Sequence, residues 1–386
     1  MREPHRLASA GLILNLTLGA CATTTPPEHF GLAALIRGFG ESGPGCAYAV
    51  RADGRAMRED AAGYANPDTG EPLTANDRLD FGSVSKSFTA AVILELSKAG
   101  RLTLEDTVST HVSDLPAWGR RVTLHDLLAM RSGVPEFRMA AAGVDGWKED
   151  YLHGTSLTAG DRVSAEQIMD SIREMDELKF EPGERYQYSN SNYMLLRATA
   201  EAAGNAPFNQ QIRSVARQLA GIEVQTPEFD NGYRRPVSGI VGHDADGGSG
   251  ATAFVSHWDV LGASSVWASV REMALWGESL MADRERLEKF AAPGVLRYPD
   301  EDEERAYGLG LMTVTVDGER FVYHLGGTEG FSSGIFLRPG NNSVLTFSCN
   351  MSPDLFFTSG MNADARSPLE KWRDLVFLHV WLSEPD

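Results

Sequence analysis

Along the 386 residues, the rhythm of apolar positions changes twice. Residues 45–51 and 56–64 form short, partly alternating apolar runs bounded by turn residues, which predicts two strands. Ala52-Asp53-Gly54 joins them as a hairpin, because an Asp-Gly pair accepts the left-handed backbone of a tight turn. From Val84 to Leu96, apolar residues occupy nearly every face, which marks a helix buried all round; Gly100 is its natural stop. Residues 100–290 carry helical spacing broken by Gly and Pro, as over 123–131, 164–178, 191–203 and 269–281. After about residue 305 the short period returns and predicts strands at 308–316, 319–325, 331–338 and 343–349. Residues 28–39 read as a short helix, and Trp372, Val376, Phe377 and Val380 space a closing helix over 367–382. Strands at both ends of a helical middle imply one sheet assembled from the two ends of the chain. The helical part is then an insertion, and a cleft lies where the two meet.

Composition narrows the function without naming it. With 42% hydrophobic and 23% charged residues, the chain can bury real cores and is not a disordered one. The 35 basic and 53 acidic residues leave a net charge of −18, which disfavours nucleic acid and anionic lipid headgroups as partners. Three cysteines without CxxC spacing, and histidines without an HExxH pattern, call for no metal. No phosphate-binding glycine loop appears either, so no cofactor is expected.

The amino terminus carries an address. Arg2 and Arg6 precede an apolar stretch from Leu7 to Leu18, shorter than the ~20 residues that span a bilayer. Residues 1–20 therefore read as a secretory signal peptide. Leu18-Gly19-Ala20-Cys21 resembles the lipobox of bacterial lipoproteins, which implies that Cys21 becomes the lipidated first residue of the mature chain. Residues 21–27 form a linker, and residues 28–386 the folded module. The expectation is an exported, periplasmic protein held to a membrane through Cys21; an ordinary signal with an incidental Cys21 is the alternative. Export also bears on Cys46 and Cys349, both within predicted strands. An oxidising compartment permits a disulfide between them if those strands are neighbours; otherwise they are two buried thiols.

Three segments carry chemistry. In Phe81-Gly-Ser-Val-Ser-Lys86, Ser83 and Lys86 stand three apart on one face of a helix's first turn, so the amine can reach the hydroxyl. The helix N-terminus adds positive potential for an oxyanion at Ser83. In Tyr186-Gln-Tyr-Ser-Asn190, an extended Tyr188 and Asn190 point the same way, a phenol to relay a proton and an amide to bind a carbonyl. A capped helix start after the Pro182-Gly183 turn explains the same residues without catalysis. Val322-Tyr-His-Leu-Gly-Gly327 is a strand ending in glycines, where Gly327 N–H could serve an oxyanion and the edge could pair with an extended substrate. A competing pattern, Gly330-Phe-Ser-Ser-Gly334, matches a nucleophile elbow around Ser332. That motif needs a following helix, and the sequence there reads as strand.

In order, the Ser-x-x-Lys, Tyr-Ser-Asn and His-x-Gly segments resemble the penicillin-recognising serine hydrolases, specifically the class C β-lactamase-like superfamily. The likeness extends to Thr123–Gly133, Ser264–Trp276 and Tyr307-Gly-Leu-Gly-Leu311, and covers residues 28–382. It implies an α+β fold: an antiparallel five-stranded sheet flanked by helices, with an inserted all-helical domain. The α/β part would comprise about 28–95 and 290–386, and the helical part about 96–289. By the same resemblance Ser83 is the acylated nucleophile, Lys86 its base and Tyr188 a second proton relay. Asn190 holds the substrate, His324 and Gly326 stand at the third motif, and Ser83 and Gly327 N–H form the oxyanion hole. It also sets the first and last strands side by side. The β-lactamases of this group usually carry Lys-Thr-Gly or Lys-Ser-Gly where this chain has His324-Leu325-Gly326. Loss of one charge-assisted hydrogen bond to a substrate carboxylate costs ~1.5–3 kcal/mol. Amide, D-peptide or ester hydrolysis through an acyl-enzyme therefore ranks above β-lactam hydrolysis. A non-catalytic relative binding peptidoglycan or a partner ranks lower, because it would not need Ser83, Lys86 and Tyr188 together.

Overall fold

The computed structural model describes residues 43–352, apart from 53, 138–162, 228, 231–232, 235–238, 246–250, 255–257, 292–304, 317 and 329. The export segment, Cys21, the helix expected at 28–39 and that at 367–382 lie outside the described residues.

Seven antiparallel strands form the main sheet: β1 (Cys46–Arg51), β2 (Arg58–Ala62), β3 (Arg305–Tyr307), β4 (Met312–Val316), β5 (Glu319–Thr328), β6 (Phe331–Arg338) and β7 (Ser343–Cys349). Their order is β3-β4-β5-β6-β7-β1-β2, so the two ends of the described chain meet in the middle, at β7 and β1. The five strands expected become seven for physical reasons at both edges. The run read as 308–316 breaks around Gly308 and Gly310, the latter at φ +88°, and the chain doubles back to make β3 against β4. At the other edge, β2 is a polar strand with a partly exposed pattern, as an unprotected edge requires. Gly63, at φ +85°, ends it two residues before the run expected over 56–64 turns into a small ribbon at Tyr64–Asn66. By contrast β7 is buried at every position and β6 at all but its last, which explains their near-continuous apolar reading.

Cys46 and Cys349 stand directly opposite in the β1–β7 register and form a disulfide. The bridge closes a chain separation of 303 residues.

Seven helices are described: α1 (Lys86–Lys98), α2 (Leu124–Leu128), α3 (Ala165–Arg173), α4 (Asn190–Gly204), α5 (Phe208–Ala220), α6 (Val270–Ala282) and α7 (Arg284–Phe290). Helix α1 is the central one: Lys86 through Ile93 are all buried, as its apolar circumference predicts. Phe88 stacks on Trp276 of α6 at 4.1 Å, and the indole N–H of Trp276 donates to Ser87 Oγ at 3.0 Å. Helix α6 starts in a capping box, Ser269 with Glu272, and lies on the sheet through Gly277. A side-chain carbon at Gly277 would stand 2.5 Å from the Leu337 methyl and 2.9 Å from that of Val344, so a larger residue would have to displace these side chains. Helix α5, which the sequence reading did not single out, buries Phe208, Ile212, Val215 and Ala216 at helical spacing.

Candidate active site

A short 3-10 turn, Gly82–Ser85, precedes α1 and is fastened on both sides. Phe81 N–H donates to Val266 O at 3.0 Å, Gly82 N–H to Asp80 Oδ1 at 2.9 Å, and Val266 N–H to Ser85 Oγ at 2.9 Å. Ser333 Oγ of β6 donates to Phe81 O at 2.8 Å and ties the turn to the sheet. Gly82 has φ +49°, and a side-chain carbon there would stand 2.8 Å from Gly327 N and 3.2 Å from Gly326 Cα. Glycine at 82 is thus a steric condition for the turn to meet the end of β5. Gly326 is buried and Gly327 exposed. Strand β4 begins at Met312, opposite Tyr323, so His324 to Thr328 have no β4 partner on that side.

Within this frame Lys86 is fully buried while Ser83 remains half-exposed. Lys86 Nζ donates to Ser83 Oγ at 2.9 Å, Asn190 Oδ1 at 2.7 Å and Ala263 O at 2.7 Å. Burial strips a lysine of water, and three oxygen partners replace it. Beside the ammonium lie the faces of Tyr188, 4.9 Å from its ring centre, and Tyr193, at 5.5 Å. The Ala263 carbonyl is fixed by its neighbours: Thr89 Oγ1 donates to Gly262 O at 2.7 Å, and Arg197 to Leu261 O at 3.3 Å. Arg197 is itself held by Asp259 through contacts of 2.7 and 3.2 Å.

The Tyr188–Asn190 segment is clamped just as firmly. Gln187 N–H donates to Met130 O at 2.9 Å, Ser189 Oγ to Pro135 O at 3.2 Å, and Ser191 Oγ to Pro135 O at 2.6 Å. Asn190 N–H, at the start of α4, donates to Glu136 Oε2, a carboxylate suited to the positive end of a helix. The helix-start explanation and the functional explanation of Asn190 hold together, because the backbone makes the cap contact while the side chain meets Lys86.

His324 is buried and uncharged. Burial first, and the nearby Lys86 charge second, push its pKa down to about 3, against a smaller upward pull from Leu325. Its Nδ1 lies 2.6 Å from Leu325 O and its Nε2 3.2 Å from the Tyr307 hydroxyl. It stands at the third-motif position without supplying a cation. Tyr307, Tyr186 and Tyr188 wall this end: ring centres of Tyr307 lie 5.7 Å from Tyr186 and 6.1 Å from Tyr188.

Ser332 is excluded as an accessible nucleophile. It is fully buried near the start of β6 and donates to Met351 O at 2.9 Å. Contacts thus connect Ser83, Lys86, Tyr188, Asn190, His324, Gly326 and Gly327 in one cluster, while Cys21 lies outside the described residues. The sequence reading missed Ala263, Glu136 and Tyr307. Tyr307 was visible in Tyr307-Gly-Leu-Gly-Leu311 but carried no assigned role; the carbonyl of Ala263 has no side-chain signature.

An antiparallel sheet facing a helical region, with this serine–lysine turn between them, defines the class. The chain belongs to the Beta-lactamase family, whose model matches residues 32–367. Among its relatives, Protein flp of Staphylococcus aureus (strain MRSA252) is 24% identical over 323 residues, covering 81% of this chain and 60% of that protein. The D-aminopeptidase of Brucella anthropi is 26% identical over 312 residues, covering 80% of this chain and 54% of that one. The chain thus spans less than two thirds of the length of these curated relatives. In structure it is similar to a penicillin binding protein from Bacillus halodurans, with a TM-score of 0.69, 19% identity, and coverage of 90% and 98%. It is also similar to the D-amino acid amidase of Ochrobactrum anthropi SV3 crystallised with L-phenylalanine, with a TM-score of 0.67, 19% identity, and coverage of 91% and 99%. At these identities the likeness carries the fold.

Proposed function

We propose that this serine hydrolase forms an acyl-enzyme on Ser83 and cleaves amide or D-peptide bonds, with esters as a second substrate type. The observation that carries the reading is the 2.9 Å contact between Lys86 Nζ and Ser83 Oγ inside a buried, fully partnered lysine site. In its neutral form Lys86 takes the Ser83 proton as Oγ attacks the substrate carbonyl. The negative charge that develops on the carbonyl oxygen is received by the Ser83 and Gly327 N–H groups. Tyr188, against Lys86, passes the proton to the departing amine or alcohol. Water then attacks the ester on Ser83 by the reverse sequence. Asn190 shares its Oδ1 with Lys86, and its amide N–H₂ is the donor for the acyl side of the substrate.

Two observations favour an amide or D-peptide over a β-lactam. The named relatives include a D-aminopeptidase and a D-amino acid amidase. His324 at the third motif is held uncharged, so its side chain offers a substrate carboxylate no cation. Export with a lipid on Cys21 belongs to the same reading, supported by the Leu18–Cys21 sequence.

The test is intact mass after exposure to a nitrophenyl ester, a D-amino-acid amide and a penicillin. An adduct lost in Ser83→Ala and kept in Ser332→Ala is expected; the opposite pattern would overturn the assignment. For the anchor, labelled palmitate should enter the full chain and not its Cys21→Ala variant.

A further inference from the structure

We propose that Tyr307 is a positioning residue for the reaction at Ser83, holding both His324 and Tyr188 in the arrangement that the reaction uses. The inference rests on the acyl-enzyme reading but draws on different contacts.

Tyr307 ends β3, and the chain turns away at once: Gly308 N–H donates to Leu311 O at 2.8 Å. This edge hairpin carries one large side chain into the core, where Tyr307 is only 2% exposed. A buried phenol needs a hydrogen-bond partner, and Tyr307 has two: His324 Nε2 at 3.2 Å and the Tyr193 hydroxyl. The partners around that ring favour one proton arrangement. Leu325 O is a carbonyl and can only accept, so the proton on His324 sits at Nδ1, 2.6 Å away. In the neutral ring Nε2 then has a lone pair that accepts from the Tyr307 hydroxyl, whose single proton is shared with the Tyr193 oxygen. Burial, reinforced by Tyr193, Tyr188 and Tyr186, holds the Tyr307 hydroxyl well above the usual range, and it keeps the proton it donates.

The same side chain touches the proposed proton relay. The Tyr307 ring meets Tyr188 edge-on, with centres 6.1 Å apart, and meets His324 edge-on at 5.8 Å. Tyr188 in turn lies against Lys86. The groups that face His324 are therefore Lys86 from α1, Tyr188 from the segment before α4, and Tyr307 from β3. Tyr307 bears on the two aromatic neighbours at once and touches neither Ser83 nor Lys86 in the contacts described. Without its hydroxyl, Nε2 loses the donor that favours the neutral ring, and His324 is freer to protonate or turn beside Lys86.

Tyr307→Phe removes the donor and keeps the ring. With a nitrophenyl ester or a D-amino-acid amide, kcat should fall about 10-fold with KM little changed, as expected when a positioned proton relay loosens. The acid limb of the kcat/KM profile should move to higher pH, which a purely structural role would not produce. In a cycle with His324→Gln, the double variant should be no worse than the more damaged single one. An unchanged acid limb, or fully additive losses, would overturn the proposal. If Tyr307→Phe does not fold, nitrogen-15 spectra of histidine-labelled wild-type protein decide the point: His324 Nε2 should resonate as an unprotonated, hydrogen-bonded nitrogen. A proton on Nε2 would overturn it. Absence of a Ser83 adduct in the wild type would instead refute the parent reading, while this spectral test stands independently.

Discussion

Two serines follow closely after a glycine, Ser83 after Gly82 and Ser332 after Gly330, and the structure treats them oppositely. Ser332 is directly across the β5–β6 ladder from Gly327, yet its hydroxyl is fully buried and spends its proton on the Met351 carbonyl. Ser83 is half-exposed on a tight turn, and its neighbour is the Lys86 amine at 2.9 Å. A carbonyl holds a serine proton without ever taking it, whereas a neutral amine can take it. What separates the proposed nucleophile from a structural hydroxyl here is the chemistry of its partner and its exposure.

The sharpest break of this contrast is to remove each serine. Ser83→Ala should lower turnover by on the order of 10³-fold or more, read in steady-state hydrolysis of an ester or amide. Ser332→Ala should leave turnover within about twofold and cost only about 1 kcal/mol in urea unfolding, the worth of a buried hydrogen bond. Next comes the partner. Lys86→Arg keeps a positive charge but cannot give up a proton, so activity should drop by about 10²–10⁴-fold, the range for losing a general base. Retained activity would make charge, not proton transfer, the role of Lys86.

A smaller effect tests the neutral side of the cleft. Unfolded, His324 titrates near 6.5, and folded at about 3. Between those values the unfolded chain binds a proton that the folded chain refuses. Stability is therefore complete above 6.5 and lost as the pH falls toward 3, by up to about 1.4 kcal/mol per pH unit. Urea midpoints at neutral and mildly acid pH measure this, and His324→Gln should flatten the slope. His243, whose pKa burial also lowers, contributes in the same direction.

The smallest change is a gain. Ser265 lies two residues beyond the Ala263 carbonyl that holds Lys86, at φ +76°, only 1% exposed, with no hydrogen-bond partner for its Oγ among the described residues. Ser265→Gly should raise stability by about 1 kcal/mol by relieving a left-handed serine and an unpaired buried hydroxyl. A fall in melting temperature would show that the hydroxyl is needed where it is.

The Ser83–Lys86 turn was legible because i, i+3 spacing on a helix is a local rule, and this pair obeys it. The buried α1 and the central strands were legible for the same reason, since full burial writes itself as unbroken apolar text. The edges were less so. β2 was read within 56–64 but with its end misplaced, because an exposed, polar strand marks its bounds weakly, and β3, three residues long, has no period to read. Tyr307 was lost with β3, because reading one strand over 308–316 began just after it. Ala263 was lost because a carbonyl contribution is common to every residue type, and only the folded path from Asp259 to Val266 selects one.

The Cys46–Cys349 bridge has a consequence for the chain as a covalent object. Between these cysteines the polypeptide is a closed ring, and every helix described here lies on its circumference. A protease that cuts one exposed loop on that ring opens it without releasing a fragment. The nicked protein should keep its full mass on a denaturing gel and fall into two pieces only when a thiol is added. The bridge lies on the ladder row that runs from Cys349 through Ser332 to Gly327. A cut ring therefore keeps the seam beside the cleft sewn shut.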